Sequence, residues 1–176
     1  MNENINTTEN QPNESFNLSE IYKLRRAKLA TYLSENGLGA AVFIDNENHR
    51  CPSLRYFTGH PTDAIFVINV DGKCILSPWD ENLAKERAVV NKIVPFTRYE
   101  RDDVKAVSGM LKMLKVPGTS KVEIPCSTSY PEFLHFVDGL SNYDVICKED
   151  GVETFAAELR AVKDEYELTC IRTAAK

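Results

Sequence analysis

The chain has 176 residues, 43% of them hydrophobic and 27% charged, with a formal net charge of -5, which is typical of one globular domain with a sizeable core. The acidic balance and mixed signs argue against a nucleic-acid surface. No apolar run approaches the length of a membrane span or forms the core of a signal peptide. We therefore expect a cytoplasmic protein, whose five scattered cysteines stay reduced.

The N-terminal region divides into a tail and a first helix. Residues 1–16 are rich in Asn, Glu and Thr and lack a periodic apolar face, so we expect a disordered tail there. Asn17 is a helix cap, and apolar residues recur at helical spacing until Gly37. The continuously apolar run 39–44 predicts a buried strand.

The centre of the predicted domain is the stretch 54–78. Residues 56–60, Tyr-Phe-Thr-Gly-His, predict an aromatic turn, and 64–70 and 73–77 predict two strands. Asp71 and Gly72 between them predict a hairpin with a two-residue loop. Because both strands are apolar on both faces, helices must cover both sides of the sheet.

The remaining pattern alternates helices and strands. We predict a helix from Ser77-Pro78 to about Val90, a helix over 104–114, and a helix from Ser129 to Gly139. Further strands are predicted near 92–96, 121–125 and 143–148. The fold class is therefore α/β, with a mixed sheet of about six strands and helices on both faces.

The last residues predict a second boundary. One helix runs over 152–162, and a capping pattern at Asp164 to Glu167 begins another that has no stop signal before Lys176. We interpret 17–162 as one domain, and 163–176 as the truncated first helix of a missing C-terminal domain.

Two motifs carry a resemblance to a known family. Residues 54–59 (LRYFTG) and 159–168 (LRAVKDEYEL), followed by Ile171-Arg172-x-Ala174, resemble the N-terminal domain of creatinases, prolidases and Xaa-Pro aminopeptidases. That family typically has Leu where Phe57 stands, Ser where Asp164 stands and Ile where Leu168 stands. The resemblance implies a creatinase N-terminal-like sheet of ribonuclease H-like topology.

The resemblance also implies a division of labour. The family's N-terminal domain precedes a pita-bread catalytic domain that holds two divalent metal ions (Mn, Co or Zn), forms a homodimer, and places loops at the mouth of the partner subunit's active site. The matching loops here are 45–53 and 60–63, in which we choose His49, Arg50 and His60 as contacts to peptide substrates. We assign Arg160, Lys163 and Asp164 to the domain junction. For this fragment we predict no catalytic residue and no metal ligand, since its three histidines lack ligand spacing.

Several alternatives stay open. Histidines and arginines in surface loops are more often solvated than functional, and Arg160 and Lys163 are equally compatible with ordinary surface charges. Cys51 beside His49 offers only a weak thiolate-imidazole pair. Three functions remain. They are the N-terminal domain of an Xaa-Pro aminopeptidase or proline dipeptidase, that of a creatinase-like amidinohydrolase, and a catalytically silent protein-binding module.

Overall fold

The computed structural model describes residues 16–176, so the tail predicted over residues 1–16 lies, except for its last residue, outside the described residues. The helices are α1 Leu18–Glu35, α2 Pro52–Thr58, α3 Glu81–Arg87, α4 Asp103–Met113, α5 Tyr130–Gly139, α6 Val152–Ala161 and α7 Glu165–Ala174, with a 3-10 helix at Phe96–Tyr99. The strands are β1 Ala40–Asp45, β2 Ala64–Asn69, β3 Cys74–Pro78, β4 Lys92–Ile93, β5 Lys121–Glu123 and β6 Asp144–Ile146.

The strands form one mixed sheet in the order β4-β3-β2-β1-β5-β6. Strand β2 is antiparallel to β1 and β3, and the other paired strands are parallel. The predicted α/β class and six-stranded mixed sheet are confirmed. Strand β4 is shorter than predicted because Pro95, which cannot donate to a strand ladder, precedes the 3-10 helix.

Two apolar layers cover the sheet, as the two-sided strands predict. Val42, Ile65 and Val67 pack in one cluster with residues of α4 and α5. Phe43 and Phe66, which alternate with them, pack in the other cluster with residues of α1, α2, α3 and α6. This alternation is what the period of two along a strand requires.

The aromatic turn predicted at 56–60 is wrong in detail, because most of it is the helix α2. Pro52 occupies the first turn of that helix, where its missing N–H has no cost, and Gly59 ends it in the left-handed conformation with φ 77°. Tyr56 and Phe57 are therefore buried helical residues. Strand β2 begins only after the loop 60–63.

The hairpin loop is longer than predicted. The Asn69 N–H donates to the Lys73 carbonyl at 3.0 Å, and the Gly72 N–H donates to the Asn69 carbonyl at 3.0 Å. A type I turn followed by a left-handed glycine, with φ 72° at Gly72, is a common three-residue connection. The side-chain oxygen of Asn69 also accepts from the backbone of Asp71 and Lys73, which stabilises the turn.

The predicted helix start at Ser77 and Pro78 is also wrong. Both residues belong to β3, and Asp80 caps α3 by accepting hydrogen bonds from the backbone of Asn82 and Leu83. The aspartate side chain thus satisfies free N–H groups in the first turn of α3. Within residues 16–176, no helix is long and apolar enough to cross a membrane.

Candidate functional site

One edge of the sheet gathers the loops chosen from the sequence. Strands β1 and β5 are parallel, so the loops that follow them, 45–53 and 124–129, leave the sheet at the same edge. Because β2 is antiparallel to β1, the loop 60–63 enters the sheet there too. Ligands of open α/β sheets bind outside the carboxyl ends of the strands, so this edge is the candidate site.

Asp45 joins the two predicted loops. Its side chain is buried, and it accepts hydrogen bonds from the Cys51 N–H at 2.7 Å and the Asp63 N–H at 2.8 Å. Arg50 adds an ion pair to Asp45 at 2.8 Å and another to Asp63 at 3.0 Å, and it also donates to Thr62. Charge-assisted bonds of this kind fix geometry strongly. Arg50 therefore holds loops 45–53 and 60–63 together.

His49 faces a third loop. Its Nε2 lies 3.0 Å from the Ser127 Oγ, and the Ser127 N–H donates to the Glu153 carboxylate at 2.9 Å. Partial burial acts to raise the pKa of Glu153, but hydrogen bonds from Ser127 and Cys126 and the nearby His49 outweigh it and hold this pKa below its usual value. Sequence reasoning missed Ser127 and Glu153. We call Asp45, His49, Arg50, Asp63, Ser127 and Glu153 the edge cluster.

His60 does not lie where the sequence placed it. Its side chain is 0% exposed, and neither ring nitrogen has a hydrogen-bond partner among the described residues. Burial lowers the pKa of the imidazole, which keeps it neutral at pH 7. The expectation of an accessible loop side chain is therefore wrong for His60, because it cannot touch a substrate from this position.

Cys51 is likewise unsuited to nucleophilic chemistry. It is buried, and burial raises the pKa of its thiol to about 11. A nucleophilic cysteine needs a lowered pKa, so the thiolate-imidazole reading of Cys51 and His49 has no support. Trp79, directly after the end of β3, stacks on Phe96 with ring centroids 4.1 Å apart.

A second group of residues lies at the predicted domain junction. Asp164 caps α7 in a full capping box with Glu167, as its sequence pattern predicts. Arg25 of α1 donates to Asp164 from Nε at 3.1 Å and from Nη2 at 2.6 Å, and it lies 3.3 Å from Glu167. The same guanidinium donates to the Tyr56 carbonyl at 3.0 Å and lies 4.2 Å from the centre of the Tyr56 ring. We call Arg25, Tyr56, Asp164 and Glu167 the junction clamp.

Sequence reasoning missed Arg25 and its neighbour Arg26. Arg26 Nη1 donates to the carbonyls of Phe57 at 2.9 Å and Val89 at 2.6 Å. The two arginines thus satisfy carbonyls at the C-terminal end of α2 that have no helical partner. A signal existed, because positions 25 and 26 lie three and four residues after Tyr22 on the apolar face of α1.

The other junction residues form no ion pair with a described residue. Arg160 has a buried Nε without an acceptor, and Lys163 donates to the Ala161 carbonyl at 3.1 Å. Residues 16–176 also contain no group of three or more His, Cys, Asp or Glu side chains that could hold a metal ion. The side chains of these residues do not fit a two-metal centre.

One comparison with known proteins identifies a family. The family model of the Creatinase/Prolidase N-terminal domain matches residues 25–125. A search of curated proteins gave no match.

Three solved structures illustrate the shared fold. An Xaa-Pro aminopeptidase from Streptococcus pyogenes has 19% identity and a TM-score of 0.61, over 78% of this chain and 98% of that one. The X-Pro aminopeptidase from Thermotoga maritima MSB8 has 19% identity and a TM-score of 0.63, over 82% of this chain and 38% of that one. The prolidase from Pyrococcus furiosus has 16% identity and a TM-score of 0.57, over 83% of this chain and 40% of that one.

The chain therefore spans well under half of the last two proteins. The family match covers strands β1 to β5 and the arginine pair of α1. The predicted resemblance to this family is confirmed; the motif at 54–59 lies inside the matched residues and the motif at 159–168 lies outside them. The chain belongs to the Creatinase/Prolidase N-terminal domain family.

Proposed function

We propose that this chain is the non-catalytic N-terminal domain of a cytoplasmic Xaa-Pro aminopeptidase or proline dipeptidase. The observation that carries the proposal is the family match over residues 25–125. The similar structures include both a T. maritima X-Pro aminopeptidase and a P. furiosus prolidase, whose chains extend far beyond the shared part. A catalytic domain downstream of this chain would supply the two divalent metal ions and the hydrolytic chemistry.

The junction clamp supports a mechanical role toward that catalytic domain. Arg25 has only 6% of its side chain exposed, and it fixes the first turn of α7 through Asp164 and Glu167. If α7 is the first helix of the catalytic domain, the clamp sets the orientation in which that domain begins. A short, well-anchored connection limits the relative motion of two domains.

The edge cluster supports a role at the partner's active-site entrance in a homodimer. All contacts of Arg50 to described residues use Nη1, which leaves Nε and Nη2 for another acceptor. A planar guanidinium edge matches a peptide carboxylate. His49, half-buried beside Ser127, offers a second polar contact.

Activity assays on two forms of the protein test this proposal. The 176-residue chain alone should neither hydrolyse Xaa-Pro dipeptides or longer peptides nor bind Mn²⁺, Co²⁺ or Zn²⁺ stoichiometrically in calorimetry. The same chain followed by its catalytic domain should release the N-terminal residue before proline. Cleavage restricted to dipeptides would select the dipeptidase, and hydrolysis of creatine would select an amidinohydrolase. Turnover by the isolated chain would overturn the proposal.

A further inference from the structure

A cavity opens beside the junction clamp, between α1, α2, α3 and α7. Its volume is about 700 Å³, which is within the range of small-molecule sites. Tyr22, Tyr56 and Tyr166 contribute aromatic rings to its wall. We call this space the junction cavity.

The lining of the junction cavity is cationic. Its charged residues are five cations and two acids, namely Arg25, Arg55, Arg87, Arg160 and Lys163 with Glu86 and Glu167. The whole chain has a net charge of -5. The net charge of the cavity lining is therefore positive, whereas the net charge of the whole chain is negative.

Two of the five cations are already neutralised. Arg25 pairs with Asp164 and Glu167, and Arg87 pairs with Glu86 at 2.9 Å. None of the carboxylates in residues 16–176 forms an ion pair with Arg55, Arg160 or Lys163. The Nε of Arg160 is buried and has no hydrogen-bond acceptor among the described residues, an arrangement that is costly until an acceptor arrives.

The charges of these arginines affect the pKa of two tyrosines in the cavity wall. Burial raises the pKa of Tyr22, and the positive charges of Arg25 and Arg55 act in the opposite direction. Burial also raises the pKa of Tyr56, opposed by Arg25 and Arg160. The guanidinium groups of Arg55 and Arg160 therefore act on the phenol groups that line the cavity rather than only on bulk solvent.

We propose that the junction cavity binds a small ligand that carries at least two negative charges on carboxylate or phosphate oxygens. Arg55 and Arg160 offer planar donor forks that match either oxyanion, and Lys163 adds a point charge. The tyrosine rings cover the body of the ligand. Arg25 already binds two carboxylates at the same wall, which shows that the chemistry suits this place.

Calorimetric titration of the 176-residue chain with citrate and with inorganic phosphate, at matched ionic strength, tests the site. We expect at least one of the two probes to bind at one saturable site. Binding of citrate would indicate a carboxylate ligand, and binding of phosphate would indicate a phosphate ligand. Arg160→Gln should weaken that binding about tenfold or more. Lys112→Gln, which removes the same charge from the exposed side of α4, should leave the affinity within about twofold.

Amide chemical shifts of the unsubstituted chain keep the test independent of any folding defect. Citrate or phosphate should move the resonances of Arg55, Gly59 and Tyr166 before those of α4. Binding that does not saturate, equal weakening by Lys112→Gln, or shifts spread evenly over the surface would overturn the proposal and indicate general ion screening.

Discussion

Among single residues, Arg25 has the most buried positively charged side chain of residues 16–176. Its side chain is 6% exposed, while the side chain of its partner Asp164 is 39% exposed. Water therefore reaches the carboxylate of this ion pair but hardly reaches the guanidinium. Removing Arg25 would leave both the Asp164 carboxylate and the Tyr56 carbonyl without their hydrogen-bond donor.

The first prediction follows from this contact. Arg25→Ala should lower the free energy of unfolding by about 3 kcal/mol, measured by urea denaturation. Arg172→Ala is the matched control, because Arg172 pairs with Glu165 on a surface where the two side chains are 64% and 62% exposed. Such a pair contributes about 0.5 kcal/mol. Equal losses in the two variants would show that the clamp does not hold α7.

His60 makes the stability of the folded chain depend on pH. Burial lowers the pKa of the folded imidazole, against the weaker opposing effects of the Thr62 backbone and of the carboxylates of Asp80, Asp45 and Asp63. The unfolded histidine binds a proton near pH 6.5, so below that pH the unfolded state binds more protons than the folded state. Stability contributed by neutral His60 is therefore present above this pH and is lost as the pH falls from about 6.5 toward the lowered folded pKa.

The second prediction isolates this effect. His60→Leu removes two buried nitrogens that lack partners, so at pH 8 its free energy of unfolding should stay within about 1 kcal/mol of the original. The drop in stability between pH 8 and pH 5.5 should become smaller in this variant. The exposed His135, replaced by Gln, serves as the control. An unchanged drop in His60→Leu would mean that other groups cause the acid dependence.

At the scale of elements, two glycines separate backbone strain from crowding. Gly59 and Gly72 have nearly the same φ, 77° and 72°. A Cβ at Gly59 would lie 2.8 Å from the Arg87 carbonyl oxygen, whereas the nearest atom at Gly72 is the Ala30 Cβ at 3.8 Å.

The third prediction compares their alanine variants. Gly72→Ala should cost only the strain of a left-handed residue, about 1 kcal/mol. Gly59→Ala should cost at least about 2 kcal/mol, because the end of α2 must also move away from α3. Thermal unfolding of both variants measures the difference, and equal midpoints would contradict the crowding argument.

The sequence predicts long, periodic elements better than short ones. The buried runs of β1, β2 and β3 and the capping box at Asp164 are confirmed, because their signals are local. Helix α2 has only seven residues, too few for a helical period to stand out from an aromatic cluster. Strand β4 ends where Pro95 interrupts the ladder.

The candidate site is harder to predict than the fold, because its contacts join distant residues. Arg25 and Asp164 are 139 positions apart, and His49 and Ser127 are 78 apart. Sequence patterns found one member of each pair but not the partner. The burial of His60 is not predictable in this way, because residues 60–63 are polar in sequence while the folded His60 side chain is 0% exposed.

In the molecule as a whole, helix α2 connects the edge cluster with the junction clamp. Just before its first residue, the Cys51 N–H donates to Asp45 of the edge cluster. At its other end, the carbonyls of Tyr56 and Phe57 accept from Arg25 and Arg26. One short helix therefore fixes the position of the loops at the sheet edge relative to α7.

The last prediction concerns the proposed full-length protein, in which this chain precedes a catalytic domain. If loop 45–53 contacts substrate without taking part in bond cleavage, His49→Ala removes binding that is equal in the ground state and the transition state. The KM for short Xaa-Pro peptides should rise about tenfold while kcat stays unchanged. The same split should appear at every saturating metal concentration, because residues 16–176 hold no group of metal ligands.

Two controls make this kinetic result specific to the loop. His135→Ala removes an exposed histidine from α5 and should leave both constants unchanged. Ser127→Ala removes the hydroxyl that lies 3.0 Å from His49 Nε2, so it frees the ring without deleting it and should raise KM by a smaller factor. A fall in kcat with unchanged KM in His49→Ala would place this residue in the catalytic step. Unchanged kinetics would leave His49 a structural link between the loops that follow β1 and β5.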